Sequence, residues 1–162
     1  MISMQVAHDT VKPLLLACLV AGKDMTSPMR SISAQLRNDT LRNFRDGGWF
    51  PAKWKPSCAA ADGHKTLVRT ATLRNSFHAA FGKDFASIGT DCPYAAVHQF
   101  GATINAKTSK GLRFKIGGQW RNKKSITIPA RPILPIDAAG RLPPSTDKYI
   151  GDRLLNHLMG VK

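Results

Sequence analysis

The amino-acid sequence predicts an α+β fold: a single domain over residues 1–162, in which an antiparallel sheet with a long basic hairpin packs against N-terminal, central and C-terminal helices. Three observations predict it. Helical patterns fill most of the first 46 residues, alternating apolar and basic side chains follow residue 111, and a capped helical pattern closes the chain. Packing helices on one face of an antiparallel sheet buries the apolar faces of both kinds of element.

The first helix is predicted to run to about Gly22, with Asp9 or Thr10 as its cap. Its apolar side chains recur at the four-residue spacing of a helix. The longest apolar stretch, residues 14–21, is far shorter than the ~20 residues that cross a bilayer. We therefore predict no membrane segment and no signal peptide. The apolar residues at this spacing are Val11, Leu15 and Leu19.

The second helix is predicted to begin at the cap Ser27, with Pro28 at the first helical position, and to end at Asp46, before two glycines. One side of this helix is apolar and much of the remainder is basic. The apolar positions are Met29, Ile32, Leu36, Leu41 and Phe44, and the basic positions are Arg30, Arg37, Arg42 and Arg45.

Residues 46–66 are predicted to form an irregular loop, because glycine and proline punctuate them. The loop nevertheless contains Trp49 and Trp54, and tryptophan side chains usually pack against something. We expect this loop to lie on the core or on a neighbouring subunit.

Three short elements are predicted after the loop. A helix is predicted over 72–81, a strand over 84–90 and a helical turn over 93–100 that Gly101 ends. The helix prediction depends on apolar residues four positions apart, which are Leu73, Phe77 and Phe81.

Strands dominate the next part of the chain. Residues 112–116 and 125–128 alternate apolar and polar side chains, and Gly117-Gly118 can turn the chain, so a basic β-hairpin arm is predicted over about 103–128. Its Phe114 is expected to face the core. A last helix is predicted from a cap at Ser145 or Thr146 to Met159. Its inward side chains are predicted to be Ile150, Leu154, Leu155 and Leu158.

The charge is strongly positive: 24 Lys and Arg face 10 acidic residues, a net charge of +14. No acidic residue lies between Asp91 and Asp137. Such a patch indicates an anionic partner, which would be nucleic acid, a membrane surface or an acidic protein, or else a solvated hairpin that keeps the protein soluble. The basic arm residues are Lys107, Lys110, Arg113, Lys115, Arg121, Lys123 and Lys124.

No catalytic, cofactor or metal site is predicted. The five histidines form no H-x-x-x-H pair, and the chain contains no G-x-S-x-G or Walker motif. The three cysteines, Cys18, Cys58 and Cys92, are odd in number and lack a C-x-x-C, which favours a reducing compartment. Cys18 is expected to be a small buried apolar residue.

Three motifs together resemble the phage virion morphogenesis family, the tail-completion proteins of Mu-like and related contractile-tailed phages. They are the segment from Leu67 to Ser76, the Tyr-Ala-x-x-His-Gln-Phe-Gly run from Tyr94 to Gly101, and the Ile-Pro-Ala-Arg-Pro-Ile-Leu run from Ile128 to Leu134. The family usually has Thr-Gly-x-Leu where this chain has Ala71 in place of the glycine. The resemblance covers roughly residues 25–140.

The resemblance implies a structural protein and not an enzyme. It implies a place at the neck end of the tail, a homo-oligomeric ring with a hexamer as the natural expectation, and partners in the phage tail tube or terminator and the head connector. The localisation it implies is the virion, with the host cytoplasm during assembly. The motif residues it singles out for interaction are Tyr94, His98, Gln99, Phe100, Gly101, Pro129, Arg131 and Pro132.

The same residues have two physical interpretations. Tyr94 and Phe100 are either core packing around a buried, hydrogen-bonded His98, or part of a subunit contact on a short turn. Arg131, fixed between two prolines, either clamps a carboxylate of its own or the next subunit or has a local intrachain partner.

The alternative hypothesis for the whole protein is a DNA-binding accessory protein. It would use the basic region 107–131 for non-specific contact with phosphates. Its binding would weaken steeply with salt.

Overall fold

The computed structural model describes residues 11–57, 63–116 and 118–160. These ranges form an α+β fold of helices and small antiparallel sheets. The predicted cap residues Asp9 and Thr10, together with Cys58 and Gly117, lie outside the described residues. The helices are α1 Val11–Gly22, α2 Thr26–Asp46, α3 Thr72–Asn75, α4 Ala95–Phe100 and α5 Pro144–Leu158. The strands are β1 Phe77–Phe81, β2 Ala86–Thr90, β3 Ala102–Asn105, β4 Leu112–Ile116, β5 Gln119–Lys123 and β6 Ser125–Ile128.

The strands pair as three separate two-stranded antiparallel ladders, β1–β2, β3–β6 and β4–β5. The predicted α+β class is therefore confirmed, but the expected single sheet is divided into three ladders in the described ranges. Helix α2 packs against both strands of β1–β2 and against α5, and α1 packs against α5. Ladder β3–β6 pairs Ala102 with Ile128, and ladder β4–β5 lies between these two strands in the sequence.

The predicted helix over 72–81 is wrong beyond its first turn. Helix α3 ends at Asn75, and Phe77 and Phe81 belong to β1, which pairs with β2. A four-residue spacing fits one turn of a helix, but it is also two periods of a strand, so Phe77 and Phe81 share one face in either structure. The central helix of the sequence prediction is thus a single turn followed by a hairpin.

The hydrophobic core contains the fully buried Phe44 of α2. Its ring contacts that of Trp54 edge-on, with centroids 5.5 Å apart, and lies 5.9 Å from that of Phe77. Trp54 is buried in this cluster, which confirms that the tryptophan loop lies on the core. The other buried members of the cluster are Leu73, Ala95 and Ile133.

Helix α2 also buries polar side chains, which the apolar pattern did not predict. Asp39, Thr40 and Asn43 are all buried. Asp39 accepts a 2.6 Å hydrogen bond from the hydroxyl of Thr146 and one of 3.0 Å from Gln35. The bond from Thr146 joins α2 to the start of α5, and the bond from Gln35 lies within α2. Both supply donors that a buried carboxylate needs in place of water.

Both long helices begin before the predicted caps. Helix α2 begins at Thr26, whose main-chain N–H donates to the carboxylate of Asp24 at 2.9 Å, and the hydrogen bonds with Thr26 lower the pKa of Asp24. Helix α5 begins at Pro144, and the hydroxyl of Thr146 bonds Asp39 instead of capping the helix. Leu155 of α5 is exposed, contrary to the prediction that it faces inward.

Helix α1 is more exposed than an ordinary amphipathic helix, which buries its apolar face. Cys18 is only half-buried, and its thiol donates a weak 3.4 Å hydrogen bond to the carbonyl of Leu158. Along the described helix Val11–Gly22 no residue is buried. None of the helices in the described ranges is long and apolar enough to cross a membrane.

Ala71 adopts the left-handed conformation at the start of α3, with φ of 57°. Glycine is the residue that enters this region without steric cost, whereas a Cβ costs about 1–2 kcal/mol there. The left-handed turn into α3 therefore forms with Ala71 in place.

Candidate functional site

The two motifs nearest the C-terminal half lie side by side. Helix α4 carries the first, and the extended segment 129–135 carries the second. The main-chain N–H of Arg131 donates to the carbonyl of His98 at 2.7 Å. Gly101, with φ of 74°, ends α4 so close to the segment that an added Cβ would lie 2.8 Å from the nitrogen of Ala130. Glycine is therefore required here for both conformation and space.

Gln99 fastens α4 to the segment 129–135. Its side-chain oxygen accepts two hydrogen bonds, from the main-chain N–H groups of Ile133 at 2.8 Å and Leu134 at 2.9 Å. Ile133 is fully buried in the core. One side chain thus satisfies two neighbouring donors that would otherwise be costly to remove from water.

Asn43 and Trp54 hold the same segment from its other side. The Asn43 amide donates to the carbonyl of Ile133 at 2.9 Å, and the Trp54 indole donates to the carbonyl of Pro132 at 2.8 Å. The oxygen of the Asn43 side chain accepts from the N–H groups of Trp49 and Phe50. Asn43 therefore joins α2, the tryptophan loop and the segment.

Arg131 is buried, with only 6% of its surface exposed. Its Nε donates to the carbonyl of Lys55 at 2.7 Å and its Nη2 to the carbonyl of Pro56 at 3.0 Å. The guanidinium thus has intrachain partners in the main chain of the tryptophan loop. Its fork geometry suits two adjacent carbonyl oxygens.

His98 lies beside Arg131 in a partly buried position. Burial lowers the pKa of the His98 imidazole below its ordinary value of 6.5, and the positive charge of Arg131 lowers it further. Among the described residues, Nδ1 of His98 and Oγ of Ser57 are buried without a hydrogen-bond partner. Both residues line a small cavity of 230 Å³ beside Tyr94. A cavity of this polarity and size can hold bridging water.

Tyr94 and Phe100 are exposed, so the interpretation of these rings as core packing is wrong. Phe100 is 77% exposed and Tyr94 43%. The ring of Tyr94 meets that of His98 edge-on at 6.0 Å. The six-residue helix α4 buries Ala95 and is fastened by Gln99, and in this orientation Tyr94 and Phe100 at its two ends face outward.

The basic arm residues are all exposed. Every residue of β5 is exposed, and Trp120 on it is 60% exposed. The guanidinium of Arg113 lies 4.4 Å from the centre of the Trp120 ring, an attractive cation–π geometry. Phe114 is half-buried and lies outside the main core cluster. The arm residues named from the sequence therefore form a surface separate from the buried motif residues.

The motif residues are mainly structural in what they contact. Gln99 and Arg131 bind main-chain groups, Gly101 permits a close approach, and Pro129 and Pro132 stiffen the segment that these residues hold. In the described part of the chain, no three His, Cys or Asp side chains lie close enough together to hold a metal ion. Asn43 and Trp54 are partners that the motifs did not reveal, since both contact the segment across about 80 residues or more of chain.

Comparison with known proteins agrees with the motifs. A family model described as the phage virion morphogenesis family matches residues 2–159. The chain is 35% identical over 106 residues to a Haemophilus influenzae protein named "Mu-like prophage FluMu G protein 2". The matched region is 65% of this chain and 62% of that relative, so this chain spans less than two thirds of the relative's length. No solved structure matches the chain.

Proposed function

The chain belongs to the phage virion morphogenesis family, and from this premise we propose that it completes the phage tail at the neck. Family membership gives it a structural role in virion assembly. In the proposed function, copies of the chain associate into a ring, with a hexamer expected, that contacts the tail tube or terminator and the head connector. The protein acts by binding and not by catalysis, first in the host cytoplasm and then in the virion neck.

The observation that carries this proposal is the exposed apolar surface of α1. Six large apolar side chains of this helix are 45–66% exposed. A helix that is apolar on all sides is normally buried, and monomeric proteins rarely expose large apolar patches. The six side chains are Val11, Leu14, Leu15, Leu16, Leu19 and Val20.

Exposed apolar side chains are also present at the end of α5. Helix α1 packs against α5, and Leu155 and Met159 of that region are also exposed. At 12 residues, α1 is too short to span a membrane, which needs about 20 residues. We infer that a protein contact removes this surface from water, and repeated copies of the chain would supply it within a ring.

The test of the role is electron microscopy of a lysate from the parent phage with this gene inactivated. We expect filled heads beside separate, unjoined tails, because the joint between them would lack its completing component. Complementation with the intact gene should restore complete virions. Intact virions without the gene would contradict the proposal.

The assembly surface is tested by the paired substitutions Leu15→Lys and Leu19→Lys. Two charges in this patch should convert the oligomer to a monomer in sedimentation velocity, because burying an unpaired charge at an interface is costly. Phe85→Lys, at an exposed apolar residue in the turn between β1 and β2, is the control and should leave the oligomer intact. An unchanged oligomer in the α1 variant would remove α1 from the contact.

Non-specific DNA binding is the second candidate function, favoured by the exposed arm on which Arg113 stacks over Trp120. In this case Lys123→Ala with Lys124→Ala should weaken duplex binding and reduce the slope of log K against log salt by about 2, about one unit for each lost phosphate contact. The control pair Lys83→Ala with Lys148→Ala should not. Unchanged affinity in the arm variant would exclude this use of the arm.

A further inference from the structure

A groove of 680 Å³ separates α2 from the segment that leads into α3. It lies away from both the apolar helix α1 and the basic arm. Three of its cations project from successive turns of α2, and two come from the opposite wall. The five cations are Arg37, Arg42, Arg45, Lys65 and Arg74.

The arginines of the groove are held in place by contacts at its edges. The guanidinium of Arg42 stacks 4.3 Å from the centre of the Trp49 ring and pairs with Asp46 at 3.3 Å. Arg45 pairs with the same carboxylate at 2.9 Å. On the far wall, Nε of Arg74 donates to the Asn75 side chain at 3.2 Å. A guanidinium carries five donors, so these bonds orient the groups and leave donors for a ligand.

The described lining of the groove has an excess of positive charge beside apolar side chains. It includes five cations, and Asp46 at the edge of the groove pairs with two of them, Arg42 and Arg45. Leu41 and Val68 are half-buried apolar residues of this lining, and Val68 packs against the core. Guanidinium groups bind carboxylates through paired, charge-assisted hydrogen bonds, and the apolar residues suit aliphatic side chains.

We propose that this groove binds an acidic peptide segment of a partner protein, in which carboxylates alternate with aliphatic side chains. We choose this ligand because its carboxylates complement the positive charge of the groove. A second copy of this chain does not supply such a segment: its ten acidic residues are all Asp, and the closest two, Asp147 and Asp152, are five positions apart. The proposal goes beyond ring assembly and does not depend on it.

The lining favours a peptide over a nucleic acid. Single strands bind through bases stacked on exposed aromatic rings, and the aromatic residue of the groove, Phe44, is only 1% exposed. A concave groove of this volume admits the side chains of a peptide. Duplex DNA presents a broad convex surface that does not enter such a groove. The exposed Trp120 lies on the arm, outside this groove.

The test measures binding of a fluorescein-labelled dodecapeptide of alternating Glu and Leu to the full chain by fluorescence anisotropy at about 0.15 M salt, where long-range attraction is screened. We expect Arg37→Gln with Lys65→Gln to weaken binding about tenfold, because two charge-assisted contacts are lost. The matched control, Lys83→Gln with Arg141→Gln, removes the same charge elsewhere and should bind as the unaltered chain does. Circular dichroism melting of both variants checks that they fold.

Three results would overturn the proposal. One is equal weakening in the groove and control variants, which would indicate attraction to net charge alone. Another is equal binding of a peptide with Gln in place of Glu. The third is a single-stranded oligonucleotide that binds more tightly than the peptide and loses affinity in the groove variant, which would assign the groove to nucleic acid.

Discussion

Asn43→Ala should destabilise the protein by about 3–4 kcal/mol, a large part of the total stability of a domain this size. Asn43 is fully buried, and its loss would leave the carbonyl of Ile133 and the N–H groups of Trp49 and Phe50 without partners. Each buried polar group without a partner costs about 1–3 kcal/mol. Urea denaturation should show a lower midpoint with an unchanged slope.

Two further variants define the cause of this effect. Asn38→Ala, at an exposed position of the same helix, should change stability by no more than about 0.5 kcal/mol. Asn43→Asp keeps the two accepted hydrogen bonds but loses the donor to Ile133 and buries a charge. At neutral pH it should therefore be less stable than Asn43→Ala, and part of its stability should return in acid, where the carboxyl group is protonated. A loss below about 1 kcal/mol in Asn43→Ala would mean that water replaces the missing amide.

The importance of Asn43 could not be predicted from the sequence, although the extent of α2 could. The spacing of Ile32 and Phe44 and the glycines after Asp46 place the helix within a residue or so of its observed ends. Periodicity reports only which apolar residues share a face. Whether a polar residue on that face is buried depends on a partner such as Ile133, 90 residues away.

The sequence motifs pointed to the candidate site, whereas side-chain polarity gave the wrong exposure for two of its residues. The runs from Tyr94 to Gly101 and from Ile128 to Leu134 meet in space, which was not predicted from the sequence. Yet Phe100 is exposed and Arg131 is buried, the reverse of what side-chain polarity suggests. The exposure of a ring on so short a helix is set by how Gln99 orients that helix, which is a tertiary property.

The apolar pattern of α1 was also visible in the sequence, but its exposure was not. Val11, Leu15 and Leu19 share one face of the helix in the prediction, and in the structure that face and its neighbours are open to solvent. Sequence patterns identify surfaces that avoid water, and they do not distinguish a core from an interface between chains.

Arg131→Ala should destabilise the protein by about 3 kcal/mol and loosen the tryptophan loop, because hydrogen bonds to charged groups contribute about 1.5–3 kcal/mol each. The carbonyls of Lys55 and Pro56 would lose their donors. Hydrogen exchange should accelerate in residues 53–57 more than in β4–β5. Arg131→Lys keeps the charge but cannot reach both carbonyls as a fork, so it should recover only part of the lost stability.

The titration of His98 in the same two variants distinguishes the effect of the Arg131 charge from the effect of its hydrogen bonds. Burial and the Arg131 charge both lower the pKa of His98, so the folded protein disfavours the imidazolium relative to the unfolded chain. The unfolded chain therefore binds more protons, and stability is lost as pH falls below the ordinary value of 6.5.

In Arg131→Ala the His98 pKa, followed by NMR, should rise towards the ordinary value without reaching it, because burial remains. In Arg131→Lys it should stay low. A pKa that does not move in Arg131→Ala would show that burial alone lowers it, and that Arg131 acts on this site only through the main-chain carbonyls it binds.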